Sequence, residues 1–77
     1  MRPSTCIRVG QRLIGWDGTR GYVSLNTRGT SVYGPGEPFQ VEWLDADGQV
    51  EDATTLTLED FAHEGIRFGR GLMPWAR

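Results

Sequence analysis

Seventy-seven residues, 38% hydrophobic and 23% charged, have the composition of a small folded domain and exclude a disordered tail. A chain this short buries only about 60% of the surface its unfolded form exposes, so three Trp, three Phe and two Tyr must supply much of its core. A single cysteine, Cys6, excludes an intramolecular disulfide and a cysteine-based metal site, and no apolar run approaches the roughly 18 residues of a membrane span.

The net charge of −2 is unevenly distributed. Residues 1–36 carry five arginines against Asp17 alone, residues 37–64 carry nine carboxylates and no arginine, and the remaining three arginines follow. Lysine is absent. The N-terminal residues lack the apolar stretch of a secretory signal, so a cytoplasmic location is the expectation.

In chain order, the first expected strand covers about Ile7 to Trp16. Asp17-Gly18 follows, a dipeptide suited to a two-residue type I′ hairpin. Strand two covers about Thr19 to Asn26, with Gly21 marking a bulge or bend. Residues 27–38 (TRGTSVYGPGEP) read as a loop, long for a small domain, and long loops are more often functional than short ones.

Phe39-Gln40-Val41-Glu42-Trp43 alternates strictly and predicts a half-buried strand with Phe39, Val41 and Trp43 facing inward. Asp45-Ala46-Asp47-Gly48 closes the next hairpin, and Gln49 to Ala53 form strand four. A short helical turn then opens at Thr57, with Asp60 as its capping-box partner and a Leu56–Phe61 staple across its start. Gly65 ends it. Ile66-Arg67-Phe68 form a short fifth strand, and the remainder, GRGLMPWAR, has no period.

This order resembles the SH3-like small barrel, in which four antiparallel strands precede a helical turn and a fifth strand. Gly21-Tyr22-Val23 and the run FQVEWLDADGQVED are similar to Tudor-like and KOW-like members. The resemblance covers roughly residues 7–69 and is architectural. It implies an all-β fold: one five-stranded SH3-like barrel domain over residues 1–77, with residues 70–77 as a tail. An OB-fold is the structural competitor, although it usually needs longer strands.

The side chains available for catalysis are few. His63 is the only histidine and sits at a helix end, where it commonly caps carbonyls. Asp45, Asp47 and Glu51 lack the loop and terminal bidentate Glu of an EF-hand, and Gly34-Pro35-Gly36 lacks the GK[ST] ending of a phosphate loop. The expectation is therefore no metal, no cofactor and no enzymatic activity. Plasmid-borne dihydrofolate reductases look similar in size and barrel type and act as tetramers, but their Val-Gln-Ile-Tyr run is missing from this chain.

Two binding classes remain. SH3-like barrels bind peptides or modified side chains through loop and strand aromatics, which here implies Tyr33, Trp16, Phe39 and Trp43. An aromatic groove beside an acidic stretch favours a cationic protein or peptide partner. Tyr33, set among glycines and prolines, is the aromatic expected to be most exposed. Alternatively, Arg8, Arg12, Arg20 and Arg28 with Tyr22 could form a face for single-stranded nucleic acid, RNA in particular. Leu72, Met73 and Trp75 in the tail either pack on the barrel or dock into a partner or second subunit.

Overall fold

The computed structural model describes residues 6–76. Met1–Thr5 and Arg77 lie outside that range, and with them Arg2 and Arg77 of the charge tally. The chain is mostly β. Its strands are β1 (Ile7–Arg8), β2 (Gln11–Ile14), β3 (Arg20–Val23), β4 (Val32–Tyr33), β5 (Phe39–Leu44), β6 (Val50–Leu56) and β7 (Arg67–Leu72). A short helix, α1 (Asp60–Glu64), precedes β7, and a 3-10 turn covers Pro74–Ala76. Among the described residues, no helix is long and apolar enough to cross a membrane.

Five strands form one antiparallel sheet in the order β6-β5-β3-β2-β7, and β1 pairs with β4 in a separate two-stranded ladder. The closed barrel expected from the sequence is not formed. The sheet ends at β6 on one side and β7 on the other, and among the described residues these edges are not paired. The connecting segment fills the space between them instead. Phe61 of α1 is buried, and its ring lies 6.0 Å from Phe39 of β5 and 5.8 Å from Phe68 of β7. Phe61 thus links β5 and β7 through aromatic contacts, without strand pairing.

The core consists of Ile7, Leu13, Val23, Tyr33, Phe39, Val41, Leu56 and Phe61. The alternation in β5 explains its share, since Phe39 and Val41 are buried while Gln40 between them is exposed. Each fully buried aliphatic or aromatic side chain contributes about 1.5–3 kcal/mol relative to exposure. The core therefore rests on a few side chains, and losing one is a large fraction of a small domain's stability.

Three sequence expectations change. The first predicted strand is two, because the chain turns at Val9-Gly10 and sends β1 off to pair with β4. The Asp17-Gly18 hairpin is not a two-residue type I′ turn. Only Gly18 has positive φ, and Gly18 N–H donates to the Gly15 carbonyl at 3.0 Å, so Trp16 and Asp17 occupy the turn's central positions. Asp45–Gly48 repeats this geometry, with Gly48 N–H donating to Asp45 C=O at 3.0 Å.

The aperiodic tail is the third. Residues 70–72 belong to β7, whose register against β2 shifts so that Gln11 faces Leu72 but Leu13 faces Phe68. This bulge at Gly69-Arg70-Gly71 hides the strand period in the sequence. The Gln11 side-chain amide holds it, donating to the Gly69 and Gly71 carbonyls at 3.3 Å each. Beyond it, Met73 N–H donates to Gly10 C=O at 2.8 Å, and Trp75 meets Tyr22 edge to face at 5.5 Å. Leu72, Met73 and Trp75 are therefore engaged by their own chain, with Trp75 still partly exposed.

Candidate functional site

The four aromatics expected at a binding surface fall into two groups. Tyr33 is only 3% exposed, which reverses the expectation that it would be the most accessible of them. The cause is the β1–β4 ladder, which pairs Ile7 with Tyr33 and folds the middle of the presumed loop onto the core. The Tyr33 ring packs 5.6 Å from Phe39, its hydroxyl accepts a hydrogen bond from the Asn26 side-chain amide, and the Arg28 guanidinium lies over it at 5.5 Å. Phe39 is equally buried. Neither can present a face to a partner.

Trp16 and Trp43 are different. Trp16 sits at the corner of the β2–β3 turn and is 81% exposed. Its backbone is held against the C-cap of α1, where Gly65 adopts the left-handed conformation at φ 69°. A Cβ there would come within 2.8 Å of the Trp16 Cβ, so glycine is needed for both the helix stop and the close approach. Trp43 stands at the inner-face end of β5, half-buried, in register with Gly21 of β3 and Asp52 of β6.

These two tryptophans line one cleft of about 330 Å3 with Gly15, Asp17, Thr19, Glu51, Asp52, Thr54, Leu56, Glu64 and Ile66. Its floor is Trp43, Leu56 and Ile66. Its rim carries four carboxylates from three places in the chain: Asp17 on the turn, Glu51 and Asp52 on β6, and Glu64 on α1. No arginine or histidine is among the lining residues. Asp17 is fixed by its turn: Thr19 holds its carboxyl below the ordinary value through hydrogen bonding, with Thr19 N–H donating to Oδ1 at 3.0 Å. The cleft therefore joins apolar π-faces to fixed negative charge. That combination attracts a cation bearing apolar bulk and repels an anion.

The expected arginine face is only partly assembled. Arg12 and Arg20 line a wide groove of about 1210 Å3 that adjoins the cleft at Asp17, Thr19 and Glu51, joined by Arg70 of the β7 bulge. Asp17, Asp45 and Glu51 line the same groove, so its charge is mixed. Arg8 lies instead on β1 opposite Val32, and Arg28 is used over Tyr33. Tyr22 is not a free stacking platform, because Trp75 meets its ring and its hydroxyl donates to Glu42 Oε1 at 2.6 Å. That bond, followed by burial, pushes the phenol up to about 12.

Sequence reasoning placed Trp16 and Trp43 at a site but missed Asp52 and Glu64 as their neighbours. Strand alternation from Trp43 through the Asp45–Gly48 turn could have put Asp52 on the same face. Nothing local pointed to Glu64. Comparison with protein-family models, with curated proteins and with solved structures returns no match, and the reading of this cleft rests on its own geometry.

Proposed function

We propose that this chain is a noncatalytic recognition module that takes a cationic side chain of a protein or peptide partner between Trp16 and Trp43. One observation carries the reading: the exposed Trp16 and the half-buried Trp43 share a cleft with four carboxylates and no lining arginine, and of the four Asp52 and Glu64 lie outside the arginine groove that Asp17 and Glu51 also border. The strand order supports it at the level of architecture. Strands β2, β3, β5 and β6 pair antiparallel in that order, a helical turn follows and β7 returns beside β2, an order that resembles the SH3-like arrangement, although here the sheet stays open and β1 and β4 form a separate ladder.

The binding site moves from the 27–38 loop to the Trp16 turn and the inner end of β5. An arginine or lysine would lay its apolar stem on Trp43 and carry its charge to Asp17, Asp52 and Glu64. A cation–π contact contributes about 0.5–2 kcal/mol depending on desolvation, and exposed carboxylates add modest, salt-screened attraction. A single residue should therefore bind weakly, with a Kd no tighter than about a millimolar.

The test is a tryptophan-fluorescence titration with N-acetyl-arginine amide and with uncharged N-acetyl-norleucine amide. Saturable quenching by the first alone, abolished in Trp16→Ala, supports the cleft. Equal responses to both, or none, would reject it.

Single-stranded nucleic acid remains a second reading on the Arg12, Arg20 and Arg70 groove. Saturable binding of labelled single-stranded RNA at about 50 mM salt, weakened at about 200 mM and lost in an Arg12→Glu/Arg70→Glu variant, would support it. No binding at the lower salt would remove it.

A further inference from the structure

The cleft opens beside a sheet edge whose main-chain groups can be assigned from the register. Ser24 N–H donates to the Gln40 carbonyl at 2.8 Å, which turns the peptide groups of Gln40 towards β3. By alternation those of Val41 and Trp43 face β6, where their partners are Thr54 and Asp52. Thr54 and Asp52 therefore spend their main-chain bonds on β5, leaving Ala53 and Thr55 to point outward. An independent contact agrees: Ala53 N–H is taken by the Asp52 carboxylate at 2.8 Å, as expected for a donor with no strand beyond it. Among the described residues β6 is the longest strand and lies at the end of the sheet order, with nothing paired to its outer side.

We propose that the partner binds as an extended segment added as a further strand on the outer edge of β6, with a cationic residue reaching the Trp16–Trp43 cleft. This rests on the cleft reading and goes beyond it, because it names the partner's backbone conformation. An added strand would run about 4.8 Å from β6, and every second side chain would fall on the face where Asp52 and Thr54 line the cleft. Main-chain bonds to Thr55 and Ala53 supply affinity, with the Ala53 N–H released as the Asp52 carboxylate turns to the cation, and the cleft supplies selectivity, the division of labour of strand addition.

Charge decides the occupant. The edge and its approaches carry Glu51 and Asp52, with Asp45 and Asp47 in the adjoining turn and no arginine between Phe39 and Ile66. A second copy pairing antiparallel along β6 would set these carboxylates against one another, whereas a basic segment would neutralise them.

The probe is acetyl-Thr-Val-Thr-Arg-Thr-Val-Thr-amide, compared with N-acetyl-arginine amide and with two analogues N-methylated at alternate residues, one in each phase. Chemical shifts and amide exchange of the full chain are followed. Expected are heptapeptide binding at least about tenfold tighter than the single residue, since each net main-chain bond is worth roughly two- to tenfold, and slowed exchange at Ala53 and Thr55. One methylation phase should lose that gain and the other retain it.

If both probes bind alike and neither methylation phase matters, strand addition is overturned while the cleft reading stands. Binding of neither overturns both. Slow exchange at Ala53 and Thr55 without peptide, rising with protein concentration, would assign the edge to a second copy and overturn the peptide proposal.

Discussion

Trp43 lies directly across the backbone of Gly21. A Cβ at position 21 would sit 2.6 Å from Trp43 Cε3 and 2.8 Å from the Glu42 carbonyl oxygen, so the indole occupies the space a side chain would need. The two residues are register partners between β3 and β5. Gly21 thus sets how deeply Trp43 seats, and Trp43 forms the floor of the cleft.

Gly21→Ala should consequently damage both stability and recognition. The ring can shift, but the Glu42 carbonyl belongs to the sheet and cannot follow without breaking the β3–β5 ladder. Overpacking of this kind costs about 1–3 kcal/mol. Urea denaturation should show that loss, and arginine amide should bind more weakly under conditions where the variant remains folded. Unchanged stability would mean that Trp43 is not pinned.

Trp16 and Tyr33 should respond in opposite ways. Trp16→Ala removes an exposed side chain and should leave the melting temperature nearly unchanged while abolishing the cleft's response to cations. Tyr33→Ala empties a core position and also strands the Arg28 stacking contact, for a loss of about 3–5 kcal/mol by analogy with other buried aromatic deletions. A Tyr33→Ala variant as stable as the parent would return Tyr33 to the surface.

Tyr22 gives a pH signature. The neutral phenol donates to Glu42, so ionisation is resisted in the folded state and the phenol titrates at about 12 instead of its ordinary 10.0. The stabilisation is fully present below the unfolded value and is lost as pH rises through about 12. Phenolate absorbance should show a late wave that Tyr22→Phe removes, and in that variant the decline of stability over this range should be shallower. The neutral-pH cost of Tyr22→Phe should be about 1 kcal/mol, the net value of one hydrogen bond.

Ligand binding at the cleft should have the opposite pH dependence. Carboxylates must be ionised to attract a cation, so affinity should fall as the solution is made acid enough to protonate them. Asp17, held down by Thr19, should keep its charge to lower pH than an ordinary aspartate. Its bond to Thr19 contributes turn stability above the ordinary carboxylate value, lost as pH falls through the lowered one. Asp52→Asn should weaken arginine amide by about two- to fivefold and flatten the salt dependence. An affinity indifferent to pH and salt would remove the carboxylates from recognition.

Much of this protein was determined by short-range pattern. The Phe39–Trp43 alternation specified a half-buried strand, Gly18 and Gly48 marked turns where a left-handed residue is required, and Gly65 marked the helix stop. Thr57 and Asp60 anticipated a real contact, since Thr57 N–H donates to Asp60 Oδ2 at 2.8 Å, but the helix begins at Asp60 with Glu59, not Thr57, in the N-cap position. These are all interactions between residues a few positions apart, and each leaves a signature in residue type.

What only the tertiary structure decided is long-range. Whether Tyr33 was loop or core depended on its pairing with Ile7 across the first hairpin, and nothing near Tyr33 encodes that partner. That Phe61 reaches both Phe39 and Phe68 is likewise a matter of side-chain placement in three dimensions. The candidate site is of the same kind. Trp16, Trp43, Asp52 and Glu64 come from a turn, two strands and a helix end, and they share a cleft only because the sheet's two edges stay apart.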